Sequence, residues 1–85
     1  MNRPEAKAIL HEQLQRFVEG GRPRLEALAE TGAADTFEIA SQSATYQIEI
    51  QCFRDGDKLL VVGSIDDGGI RAFFPLTATV LVPRG

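Results

Sequence analysis

Tyr46-Gln47-Ile48-Glu49-Ile50-Gln51-Cys52 alternates apolar and polar side chains without a break. Successive side chains of a strand point to opposite faces, so a period of two marks a half-buried strand in an antiparallel sheet covered on one side. Asp55-Gly56 follows, a favoured pair for a two-residue hairpin whose central positions both take positive φ. A turn centred there sets Cys52 opposite Leu59, Ile50 opposite Val61 and Ile48 opposite Gly63. Asp67-Gly68 offers a second turn of the same kind, which sets Ile65 opposite Ile70, Gly63 opposite Ala72 and Val61 opposite Phe74. A third at Gln42-Ser43, with poorer turn residues, sets Phe37 opposite Ile48 and Ile39 opposite Tyr46. The three turns together place Phe37, Ile39, Tyr46, Ile48, Ile50, Cys52, Leu59, Val61, Ile65, Ile70 and Phe74 on one face. A slip of one residue would send a strand's whole apolar set to the other side.

Upstream the period changes. Ala6, Ile9, Leu10, Leu14, Phe17 and Val18 recur at spacings of three and four, which predicts a helix over 3–19 with one apolar stripe. Asn2 is the expected N-cap, Pro4 fits the first turn, and Gly20-Gly21 supplies a left-handed stop. Residues 23–30, with Leu25, Leu28 and Ala29 on one side and Gly32 beyond, offer a short second helix or a structured loop. The expected fold is α+β: an N-terminal helix on one face of an antiparallel β-meander of four to five strands over 35–82. Small Gly63 and Ala72 leave a depression at the centre of that face for Phe17 or Leu14 to fill. Leu76 to Val82 alternates weakly after Pro75 and is the candidate fifth strand, with Pro75 suggesting an edge or a bend.

The chain has 85 residues, 44% hydrophobic and 25% charged, with 12 acidic and 9 basic side chains and one Cys. That is too apolar for a disordered segment and has too few cysteines for a disulfide framework, leaving one small globular domain over 1–85. A chain of this size buries only a little over ~60% of its unfolded surface, so self-association is a natural source of further stability. The N-terminal stretch is amphipathic and unlike a secretory signal, and no apolar run approaches the ~20 residues that cross a bilayer. The expected compartment is the cytoplasm, with no membrane partner. A net charge of −3 argues against a nucleic-acid partner. The one basic cluster, Arg16, Arg22 and Arg24, straddles a helix end, where cations meet the last carbonyls.

No catalytic, cofactor-binding or metal-ligating set emerges. His11 lies off the apolar stripe and is expected in solvent. Cys52 sits on the buried face, where a thiol packs as a small hydrophobe. One His, one Cys and scattered carboxylates lack metal-ligand spacing. Asp55 with Asp57, and Asp66 with Asp67, are turn residues at opposite ends of one strand, over ~20 Å apart and too distant for paired acid and base work. Gly68-Gly69 has no following helix to complete an anion site, and the adjacent aspartates repel phosphate.

The other sheet face carries the functional candidates. Phe53, Leu60, Val62 and Phe73 form its apolar part, with Gln47, Glu49 and Arg71 around them, and the expected pairing sets Val62 between Glu49 and Phe73. An apolar centre rimmed by polar groups is the anatomy of an interaction surface, unless residues 76–82 or 23–30 fold over it. The sequence therefore predicts a non-enzymatic protein-interaction module that self-associates, as a homo-oligomer, through this face or a strand edge. The alternative is a small-molecule-binding domain with an apolar pocket between helix and sheet, near Gly63 and Ala72, anchored by Tyr46.

Overall fold

In the computed structural model, which describes residues 2–68 and 75–83, the Asn2 side chain accepts the Glu5 N–H at 3.1 Å and starts helix α1, Arg3–Glu19. Its stripe of Ala6, Leu10, Leu14 and Phe17 is buried, as the spacing predicts. The left-handed turn at its end falls on Gly21 (φ 100°) alone, since Gly20 stays right-handed. The stretch that offered a short helix or a loop is helix α2, Arg22–Thr31, which buries Leu25 and ends on left-handed Gly32.

Four strands follow: β1 (Asp35–Ala40), β2 (Thr45–Asp55), β3 (Lys58–Asp66) and β4 (Leu76–Val82), antiparallel in the order β1-β2-β3-β4. Both helices pack on one face, where Leu10, Leu14, Leu25, Tyr46, Ile48, Ile50, Leu59, Val61 and Ile65 form the buried core. Fully burying one such aliphatic side chain contributes roughly 1.5–3 kcal/mol, so this single layer supplies most of the fold's stability.

The register of the first hairpin is the expected one, with Phe37 opposite Ile48 and Ile39 opposite Tyr46. Its poor turn residues are braced by side chains: Ser41 Oγ accepts the N–H groups of Ser43 and Ala44, both at 3.2 Å. The Glu5 carboxylate in turn accepts from the hydroxyls of Ser41 (2.5 Å) and Ser43 (2.8 Å), tying the start of α1 to this turn. Those two hydrogen bonds hold the Glu5 carboxyl below its usual range; burial opposes them, and the Tyr46 hydroxyl adds a smaller lowering.

The second hairpin corrects the expectation. Asp55 pairs with Lys58, so the central residues are Gly56 and Asp57, and Ile50 faces Gly63 while Val61 faces Cys52. Gly56 has φ 64°, and among the described residues no non-glycine residue has positive φ. Placing the glycine first meets the need of a turn with one left-handed residue, whereas a centre at Asp55-Gly56 would have forced Asp55 into that region. The shift is two residues, so every side chain keeps its face.

The third hairpin differs more. The partner of β3 is β4 itself: Ile65 pairs with Leu76, Gly63 with Ala78 and Val61 with Val80. The pairings expected with Ile70, Ala72 and Phe74 are replaced, and those three residues lie outside the described ones. Proline lacks a backbone donor and stands just before β4, and the seven residues beyond it pair without interruption. The candidate fifth strand is therefore the fourth, at the sheet edge.

The depression over Gly63 is occupied. A β-carbon there would lie 2.9 Å from Leu10 Cδ1 and 3.0 Å from Leu14 Cδ2, so two leucines fill the space predicted for Phe17 or Leu14. Phe17 instead stacks on Phe37, centroids 6.3 Å apart, with the Arg24 guanidinium 4.4 Å from its ring centre. Arg22 fastens the far end of the molecule by donating to the Asp57 carbonyl (2.7 Å) and the Pro83 carbonyl (3.2 Å).

Candidate interaction face

Odd-numbered residues of β2 and even-numbered residues of β3 point away from the helices, which puts Gln47, Glu49, Phe53, Leu60 and Val62 on one open surface. Arg71 and Phe73 lie outside the described residues. Cross-strand pairing arranges the surface in rows. Phe53, Leu60 and Leu81 form one row across three strands, Gln51, Val62 and Thr79 the next, and Thr36, Glu49, Ser64 and Thr77 a third. Val62 thus lies between Gln51 and Thr79, not between Glu49 and Phe73.

The corrected register changes the character of the face. It brings Phe53 and Leu81 to either side of Leu60, and these two are the exposed large hydrophobics among the described residues, at 46% and 47%. β1 reaches only to Asp35, opposite Ile50, so the sheet is three strands wide at this row. The apolar patch sits at the β2–β3 turn end, bounded there by the Asp55 and Lys58 pair, while Glu38 and Glu49 lie toward the opposite end. It is an end patch and not the expected polar-rimmed centre.

Neither segment that might have covered the face does so. Residues 76–82 are built into the sheet, and residues 23–30 belong to α2, whose Leu25 packs in the core on the helix side. Leu81 is absent from the sequence-predicted set. Its signal was the alternation Leu76-Thr77-Ala78-Thr79-Val80-Leu81-Val82, in which the ambivalent threonines blur the inside-outside pattern.

The remaining candidates fall apart spatially. Cys52 is 3% exposed, and burial, the largest influence, pushes its thiol above the ordinary value against the opposing pull of Arg54, the Phe53 N–H and Arg22. His11 is exposed on α1. Thiol labelling of Cys52 is therefore expected to be slow in the native protein and fast in denaturant; rapid native labelling at neutral pH would show an open thiol. The aspartates of the two turns are separated by the nine residues of β3, roughly 30 Å of extended chain. Among the described residues no group of three or more His, Cys, Asp or Glu converges to hold a metal ion, and no helix is long and apolar enough to cross a membrane. Each arginine of the basic cluster has a structural partner: Arg16 pairs with Glu12 at 2.8 Å, Arg22 with Glu26 at 3.3 Å, and Arg24 covers Phe17. Tyr46 is fully buried, and among the described residues its hydroxyl has no hydrogen-bond partner of good geometry.

Comparison with known proteins leaves the face to be interpreted from its own chemistry: no family model, curated protein or solved structure matches the chain.

Proposed function

We propose that this protein is a non-enzymatic interaction module that self-associates through the Phe53, Leu60 and Leu81 row of its open sheet face. The observation that carries the reading is the row itself: two half-exposed large side chains flank a third in register across three strands, and no described segment covers them. A second copy is the occupant that the charge distribution favours. A twofold axis running along the row lays the two apolar rows on each other and sends the Glu38 and Glu49 ends of the copies in opposite directions, whereas an axis along the strands would stack like charges. A contact three strands wide is at the small end of specific interfaces, so the dimer is reversible and forms with rising concentration.

Leu81→Lys and Val62→Lys each place a charge in or beside the desolvated row. Sedimentation equilibrium should show both variants monomeric at concentrations where the parent chain dimerises, with the melting temperature of the dilute, monomeric parent because both positions are at least partly open in the monomer. A parent chain that stays monomeric at every accessible concentration would end this reading. Variants that lower the melting temperature without changing mass would mean the face is covered within one chain.

A further inference from the structure

A second surface lies on the other side of the molecule, along the outer margin of β4. Strand β4 is the edge of the sheet, and among the described residues its outward backbone groups have no partner. Unlike β1, whose Asp35 and Glu38 guard the opposite edge, Leu76–Val82 contains no charged residue. An uncharged strand of this length at an edge is a template for pairing with another chain.

Beside this edge, between it and α1, runs a cleft of about 480 Å³ lined by Leu10, Leu76 and Ala78 together with Arg3, Lys7 and His11. The three basic side chains are four residues apart and so form one row along the helix, about 6 Å from one to the next. Among the described residues Arg3 and Lys7 have no ion-pair partner, in contrast to Arg16, Arg22 and Arg54. An acidic chain thus presents an unneutralised basic row over an apolar floor, next to open backbone donors and acceptors.

We propose that this edge and cleft bind an extended acidic segment of another protein by strand addition. The added strand pairs with the backbone of β4 and lies beneath the basic flank of α1. Its alternate side chains recur every ~6.6 Å, close to the spacing of the helix row, so successive helix-facing carboxylates meet Arg3, Lys7 and His11. An apolar residue in the same series rests on Leu10, Leu76 and Ala78.

The test is a backbone amide NMR titration of the full chain with a capped seven-residue peptide, threonine at odd positions and valine, glutamate and glutamate at even ones. A control peptide carries lysine for glutamate. Binding should shift amides in β4 and in the first half of α1, leave Phe53 unmoved, weaken with salt and be absent for the lysine peptide. The double variant Arg3→Glu, Lys7→Glu, both exposed, should keep the fold and weaken binding by about tenfold or more. The proposal is overturned if the acidic peptide shifts nothing, if both peptides bind alike, or if the shifts map to Phe53 and Leu60 instead. Sodium decanoate shifting the cleft residues where the peptide does not would also overturn it, by identifying a small amphiphilic acid as the ligand. These outcomes are independent of the sedimentation result for the open face.

Discussion

Ile50→Ala should cost the protein about 2–5 kcal/mol of its stability. Ile50 is fully buried, with Asp35 and Gly63 as its cross-strand neighbours, and it belongs to the single apolar cluster between sheet and helices. Removing three carbons there forfeits their transfer free energy and opens a cavity, a loss of about 2–5 kcal/mol. A domain of this size has roughly 4–13 kcal/mol in total at the usual stability per residue. The melting temperature should therefore fall by at least about 8 °C, and at the larger loss a chain at the lower stability limit would unfold at room temperature. A denaturant titration measures this directly. A loss under about 1 kcal/mol would contradict the placement of Ile50 in a core that cannot collapse around the gap.

Gly63→Ala should also destabilise, by about 1–3 kcal/mol, because the new methyl meets Leu10 and Leu14 at distances that force one of them out of place. On backbone grounds alone the change would be favourable by roughly 0.5–1 kcal/mol, since glycine in a strand interior has the most conformational freedom to lose. The sign thus reports the close approach of the helix. Leu14→Ala by itself costs about 2–5 kcal/mol, but it vacates the space into which Leu10 can shift, so the two changes should not add. A double-mutant cycle is expected to give a coupling of about 0.5–3 kcal/mol in favour of the double variant. Additive losses, or a stabilising Gly63→Ala, would mean that α1 does not sit down on Gly63.

These two positions also show what could be read from the chain. Period and polarity identified α1 to its boundaries and assigned every described core residue of the sheet to the correct face. That assignment survived two register errors because both shifts were even, and a strand's side chains repeat every second residue. The errors have a common origin. A turn dipeptide signals that the chain reverses there, but not which position the glycine takes, and this chain places Gly56 first. Conversely, Gln42-Ser43 looked weak, yet its register was correct because Glu5 and Ser41, distant in sequence, brace it. At β4 the weakly alternating residues after Pro75 are the ones that pair with β3, because their apolar members Leu76, Ala78, Val80 and Val82 pack against the core. The candidate face was legible in membership for Gln47, Glu49, Phe53, Leu60 and Val62, but its apolar row was not, since that row exists only once β2, β3 and β4 are in register. The expected pocket between helix and sheet, over Gly63, is filled by Leu10 and Leu14, and the cleft opens instead beside Leu76 and Ala78. It depends on how α1 lies against β4, which no local pattern encodes.

The helix that closes the core precedes its partners in the chain. α1 contacts β3 and β4 most heavily, and between Glu19 and Leu76 a growing chain must add close to 60 residues. At ~5–20 residues per second this takes about 3–12 s. A helix of this length is only marginally stable by itself in water. For most of that interval the stripe of Ala6, Leu10, Leu14 and Phe17 has no complete sheet to rest on. The nascent chain therefore carries this apolar stripe unprotected until the strands follow, a window in which a chaperone or a neighbouring nascent chain competes with strands that have not yet been made.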